Sequence, residues 1–325
     1  MKKFFEEYGA VAIIVIVIAV LLLIVGSVKG LDEGTGKVNG SGVASVVGNA
    51  YSNAIDKFKD SFDNVLSGTG DGDNSNPTSG PNGEPLVSKT ESQVGKYADI
   101  DGDGTVDGII FADLMIGGSG TTFDVYGSTY TIPKIDSCKD YYIKQDSFPG
   151  ILNGEQEVLS SIGNGNDRFY VMALTNIDSN EYTWYAGATN GVNDYKEVAN
   201  QEFGSGQKNT SAMIQRWNSL TYGKQNQDEN HKDVWNVIQK KEKDGWFLPS
   251  SKEWVVFKKN LGFGSFSDRW DGGFRGLNQY YLTSSLKNSS QILMYNFNYG
   301  YATLNNTDYS ASLKAYCNVR LATTF

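Results

Sequence analysis

The stretch Asp99-Ile-Asp101-Gly-Asp103-Gly-Thr105-Val-Asp107 sets carboxylates at alternating positions in a segment that carries two glycines. With Asp99 as the first position, carboxylates stand at 1, 3, 5 and 9, Gly104 at 6 and the Thr105 carbonyl at 7. That alternation wraps hard oxygen ligands around one cation, and oxygen-only ligation at this spacing suits Ca2+. Asp99, Asp101, Asp103, Thr105 and Asp107 are therefore the expected ligands of a structural calcium ion; an acidic turn without metal is the alternative. Position 12, where a helix-flanked calcium loop places a bidentate Glu, is Ile110. The flanks VGKYADI and VDGIIFADL are rich in β-formers, so the loop is predicted to join two strands and to staple a hairpin.

Other chemistry has less to work with. Cys138 and Cys317 lie 179 positions apart with no CxxC, which leaves one disulfide or two separate thiols and excludes a cysteine metal cage. The one histidine, His231, has no Cys or Asp cluster to act with and is expected at the surface near a helix start. No nucleophile, base and orienter can be named together, so the chain is not expected to be an enzyme. A formal net charge of −9 supplies no basic footprint for phosphates, and no nucleic-acid partner is expected.

Residues Gln279 to Phe325 hold seven Tyr, six Asn and six Ser but only four charges. Tyr supplies rigid contact area at low entropy cost, and Asn and Ser supply adaptable hydrogen bonds, which is the composition of a binding surface. The alternative is a Tyr-rich edge of an all-β domain.

Four segments must position these residues. Residues 1–29 contain the apolar run AVAIIVIVIAVLLLIVG, long enough to span a hydrocarbon layer of about 30 Å as a helix. No A-x-A site follows and Glu6 and Glu7 precede it, so an uncleaved anchor is favoured over a signal peptide, with the bulk of the chain outside. In residues 30–66, Val43, Val47, Ala50, Ala54, Phe58, Phe62 and Val65 recur every three or four positions, which predicts an amphipathic stalk helix that packs on another copy of the chain or on the domain after it. Residues 67–86 read as a flexible Gly/Ser/Asp/Pro linker. From Val87 to Phe325 the chain is dense in short β runs: RFYVMALT (168–175) and YTWY (182–185) read as strands, and Thr210–Trp217 and Lys232–Lys243 as helices, the second closed by Gly245. GWFLPSSKEW (245–254) is a buried strand, a Pro stop and a helix with Ser250 and Glu253 spaced as a capping box.

Three resemblances follow. The start FFEEYGAVAII is similar to the N-terminal helix of small bacterial pilins of the Flp type, whose Glu-Tyr pair Glu7-Tyr8 matches, although Lys3 and not Gly precedes Phe4. That implies self-association through residues 1–66, and a pilus-like filament subunit as the alternative function. The acidic loop resembles the calcium loops between strands of integrin-like propeller repeats. WFLPSSKEW, YYLTSS (280–285), a Tyr/Asn-rich strand pair and the terminal VRLATTF together resemble the C-type-lectin fold of bacterial and phage proteins. The expected fold class is α+β, with small twisted antiparallel sheets and flanking helices, and RFYVMAL pairing with NVRLATTF.

Within that fold the chain is most similar to variable proteins of diversity-generating retroelements, whose Tyr/Asn/Ser-rich C-terminal strands are rewritten at adenine-containing codons. The resemblance implies a constant scaffold and a changeable face at Tyr295, Asn296, Asn298, Tyr299, Tyr301, Asn305, Asn306, Asp308, Tyr309, Tyr316 and Asn318, with Cys317 itself a candidate variable position. Ile292, Met294 and Phe297 are expected in the framework. Its implied partner is a macromolecule, protein or glycan, on another cell or particle. The sugar triplets of animal lectins are not matched, since Leu86 follows Glu84-Pro85 and Ser219 follows Trp217-Asn218. Nor do Cys138 and Cys317 fit the reactive cysteines of formylglycine-generating enzymes.

Overall fold

The computed structural model describes residues 77–121, 128–144, 157–187, 198–228, 230–261, 277, 280–297 and 309–325, all within the compact unit Ser75–Phe325. The apolar run at 8–28, the stalk stripe at 43–65 and the pilin-like Glu7-Tyr8 pair lie outside them. No helix among the described residues is long and apolar enough to cross a membrane.

The described residues form a mixed α+β fold of three small sheets and four helices. The largest sheet contains β1 (Tyr97–Ala98), β2 (Gly108–Asp113), β5 (Asp140–Lys144), β6 (Val158–Ile162), β7 (Phe169–Ala173) and β11 (Ala322–Thr324) in the order β11-β7-β2-β1-β6-β5. The β1–β6 pair is parallel and the other pairs are antiparallel. Successive side chains on a strand point to opposite faces, and β2 uses both: Ile109 and Phe111 join one core, and Ile110 joins another with Val171, Leu159 and Phe325. The expected pairing of RFYVMAL with the C-terminal strand is present, with Ala322 opposite Met172 and Thr324 opposite Tyr170. The last strand is thus held in the main sheet.

Strands β3 (Gly118–Thr121) and β4 (Thr129–Ile132) make a separate hairpin. The third sheet is β10-β9-β8, built from β8 (Tyr280–Asn288), β9 (Gln291–Asn296) and β10 (Tyr309–Ser312). Of the helices, α1 (Gly206–Ser219), the short α2 (Thr221–Gln225) and α3 (Val234–Glu242) follow β7, and α4 (Ser251–Asn260) follows Pro249. Met213, Ile214 and Trp217 of α1 meet Val234, Trp235 and Ile238 of α3 in one core, which also takes Leu282, Ile292 and Met294 from the third sheet. Trp254, Val255 and Phe257 of α4 share one core with Phe111 of the main sheet and Tyr281 of the third.

Two expectations change here. YTWY is not a strand of a sheet; it makes only the isolated bridges Tyr182 to Cys317 and Thr183 to Asp233, because Asp233 draws this segment into a side-chain network. The end of the expected linker 67–86 is docked: Val87 N–H donates to the Tyr141 carbonyl at 2.8 Å and Ile143 N–H to the Pro85 carbonyl at 3.1 Å, which covers the open edge of β5. The cysteines are two free thiols. Cys138 is half-buried beside one core, while Cys317 is buried in another with its Sγ 3.3 Å from Met294 Sδ, a framework position.

Candidate functional site

The acidic loop connects β1 to β2, and Gly102 and Gly104 turn it with φ of +79° and +93°, a region that residues with a Cβ rarely enter. Asp99 is buried and anchors the loop: Oδ1 accepts from Gly102 N–H at 2.9 Å and Oδ2 from Gly104 N–H at 3.1 Å. Asp107 Oδ2 accepts from Ile100 N–H at 2.7 Å. Carboxylate oxygens of Asp99, Asp101 and Asp107 lie within 4.8 Å of one another, so three of the four expected carboxylate ligands come together. Asp103 does not join them. Its carboxylate accepts from the Thr105 N–H at 2.7 Å and from the Thr105 hydroxyl at 2.6 Å, and the second bond is the main reason its pKa is lowered. Asp103 Oδ1 is thus taken up by Thr105, through bonds that do not involve the Thr105 carbonyl expected as a ligand.

Burial raises the Asp107 carboxyl first, and the negative charges of Asp101 and Asp99 raise it further. A cation shared by the cluster would neutralise those two charges and reverse their effect. The loop has a partner that local sequence could not disclose. The Lys144 ammonium at the end of β5 donates to Asp99 Oδ2, and the Ser160 hydroxyl of β6 approaches the same oxygen at 3.3 Å. Lys144 is 45 positions from Asp99, and only the β1-β6-β5 order brings them together.

The Tyr/Asn-rich candidates divide. Tyr295 is 2% exposed, stacked on Trp254 with ring centroids 5.8 Å apart, and burial raises its phenol strongly. It is a core residue and not a contact for an outside ligand, because its position on β9 faces α4. Asn318 is likewise buried; its backbone bridges Tyr281 and its N–H donates to the Tyr280 carbonyl at 2.8 Å. Tyr316, by contrast, is 60% exposed, and Asn296 is partly exposed at the end of β9. Tyr309 begins β10 opposite Met294. Asn298, Tyr299, Tyr301, Asn305, Asn306 and Asp308 lie outside the described residues, in the chain that joins β9 to β10. Register therefore gathers the backbones of Tyr280, Asn296 and Asn318 at one end of the third sheet, where β8 begins and β9 ends. Ile292, Met294 and Phe297 are buried, as expected.

His231 is not a surface residue: its side chain is 12% exposed, and Nε2 lies 3.1 Å from Asp233 Oδ2, near enough for an ion pair but without hydrogen-bond alignment. Asp233 itself is fully buried and accepts from the Thr183 hydroxyl at 2.8 Å, Ala186 N–H at 2.7 Å and the Trp217 indole at 3.0 Å. It ties α1 and the start of α3 to the 183–186 segment, a positioning role. The spacing of His231 and Asp233 was visible in the sequence; the distant donors were not.

Comparison with protein-family models, with curated proteins and with solved structures finds no match to this chain.

Proposed function

We propose that this chain is a membrane-anchored, surface-displayed ligand-binding protein, a C-type-lectin-fold variable protein of the kind that diversity-generating retroelements rewrite. Its binding face is the end of the β10-β9-β8 sheet from which the chain 298–308 departs. What supports the reading most is the contrast between the two kinds of Tyr and Asn in the last 47 residues. Framework positions such as Tyr281 and Tyr295 are packed in the core, while Tyr316 presents a ring to solvent and Asn296 stands half-exposed at the sheet end. A few exposed aromatic rings completed by Asn hydrogen bonds are sufficient to dominate the affinity for a macromolecule. The apolar run of residues 1–29 would hold this face outside a membrane.

The test is to sequence the DNA beside the gene and many copies of the gene itself. A near-copy of the final codons next to a reverse transcriptase is expected. Variation should fall on Asn296, Asn298, Tyr299, Tyr301, Asn305, Asn306, Asp308, Tyr309 and Tyr316, and should spare Tyr281 and the buried Tyr295 and Asn318. A locus with neither element, or variation spread evenly over buried and exposed positions, rejects the reading.

We further propose that Asp99, Asp101 and Asp107 hold Ca2+ as a staple between β1 and β2, with Lys144 competing for Asp99. Millimolar Ca2+ should raise the melting temperature relative to EGTA, and Asp99→Asn should abolish the difference. Lys144→Met removes the competing ammonium, so it should melt lower in EGTA and bind Ca2+ about tenfold more tightly. Identical melting in Ca2+ and EGTA would leave Lys144 as the loop's own counter-ion.

A further inference from the structure

A cavity of about 280 Å3 lies between the 92–94 segment, the end of β2, the β3–β4 hairpin and the last residue of α4. It shares no residue with the sheet-end surface proposed above. Its walls are of two kinds: Ile116 and Ile132 are apolar, and Ser92, Ser119, Asn260 and Tyr130 offer hydrogen-bonding groups. Ile116 is 38% exposed, one of only two large apolar side chains exposed among the described residues, and it stands in the lining. A concave wall that combines apolar side chains with a few polar groups is a feature of ligand pockets.

The polar groups retain bonding capacity. Tyr130 is 7% exposed, and burial alone raises its phenol, with no hydrogen bond contributing to the shift. Asn260 donates through Nδ2 to the Phe111 carbonyl at 2.9 Å, which leaves its carbonyl oxygen available. Ser92 accepts only a long 3.4 Å bond from Val94 N–H, so its own proton is still to be donated. The one acid in the wall, Asp113, is already neutralised: it takes two bonds from Arg168, at 2.9 Å and 2.8 Å, and accepts from Gln93 and Met115 N–H at 3.2 Å and 3.1 Å. Among the described residues no Lys, Arg or His lines the wall, and the Lys259 ammonium beside it already lies over the Tyr130 ring, 5.3 Å from the centroid. A charged ligand would find no unengaged counter-ion in this wall, and a purely apolar one would offer nothing to the Tyr130 hydroxyl.

We propose that this cavity binds a neutral polyhydroxylated ring of monosaccharide size, its C–H face on Ile116 and Ile132 and its hydroxyls on Tyr130, Asn260 and Ser92. The volume falls just short of the range that takes drug-sized ligands, which fits a single ring and not an oligomer. With so few atoms to bury, affinity should be in the millimolar range.

The experiment is saturation-transfer NMR on the full chain in a zwitterionic detergent, with D-glucose, D-galactose, D-mannose and N-acetylglucosamine titrated separately to about 50 mM. At least one should saturate. Tyr130→Phe removes only the hydroxyl and should weaken binding about fivefold to tenfold with an unchanged melting temperature. If that variant folds poorly, Ser92→Ala carries the same test. The proposal is overturned if none of the four sugars saturates, or if the variants bind as the wild type does. It is also overturned if binding survives Tyr130→Phe but is lost in Tyr316→Ala, which would move the sugar to the sheet-end surface.

Discussion

Replacing Arg168 with alanine should lower the unfolding free energy by about 3–5 kcal/mol, as expected when one partner of a buried ion pair is removed. The guanidinium is fully enclosed just before β7, and it makes four hydrogen bonds. Nε and Nη2 reach the two oxygens of Asp113 at 2.9 Å and 2.8 Å, while Nη1 and Nη2 reach the Ser88 and Glu91 carbonyls at 2.8 Å and 2.9 Å. One side chain therefore joins β7, β2 and the 88–91 segment. Alanine leaves the buried Asp113 carboxylate with two backbone N–H donors and no cation, and strips two carbonyls of their partner. Lysine cannot reproduce the fork and should cost about 2 kcal/mol or more. The pair itself is a different matter, since two buried charges also carry a desolvation cost. Arg168→Met combined with Asp113→Leu should therefore lose less than Arg168→Ala alone. Urea unfolding followed by tryptophan fluorescence reads this directly, because Trp184, Trp217, Trp235 and Trp254 are fully buried. A loss below about 1 kcal/mol for Arg168→Ala would mean that the pair is not desolvated as the geometry implies.

What could be read from the sequence was whatever is encoded within a few residues or in a chain-wide likeness. The Ser250–Glu253 capping box is local, and it is present with both of its hydrogen bonds. The Gly245 turn, with φ of +85°, and the apolar faces of α1 and α3 were legible for the same reason. The pairing of β11 with β7 spans about half the chain and came from the resemblance, not from any local pattern. Site assignments fared less evenly because a residue type does not say which way its side chain points. Tyr295 and Tyr316 have the same composition signal, yet β9 sends Tyr295 under α4, while Tyr316, in the segment between β10 and β11, stands in solvent. Asp103 fits a ligand spacing, but the Thr105 hydroxyl two residues on competes for its oxygen. Lys144, Ser160 and the donors to Asp233 left no local trace, since sheet order and helix packing alone bring them in.

Glu253 shows how far a local motif can reach, and its removal should also change how stability depends on pH. Beyond its bond to Ser250 N–H at 2.7 Å, the carboxylate accepts Gly204 N–H at 3.0 Å and Gly206 N–H at 3.1 Å, so it anchors the start of α1 as well as α4. Gly206 must be glycine here, because a Cβ would come within 2.2 Å of the carboxylate. Burial outweighs these bonds and raises the carboxyl from 4.5 to about 7. A folded-state pKa above the unfolded value means that the folded chain holds more protons between pH 4.5 and about 7. Stability from this group is then complete below 4.5 and is lost as pH rises through about 7. The span of 7 − 4.5 = 2.5 units corresponds to roughly 3 kcal/mol. Wild type should therefore unfold at lower urea at pH 8 than at pH 5.5, and Glu253→Gln should lose most of that slope. Glutamine keeps an oxygen for Gly204 and Gly206 but turns an amide N–H2 towards Ser250 N–H, so the variant should also be about 1–3 kcal/mol less stable at pH 5.5. Equal pH slopes in the two proteins would show that the three backbone N–H groups hold Glu253 ionised, with burial the weaker effect.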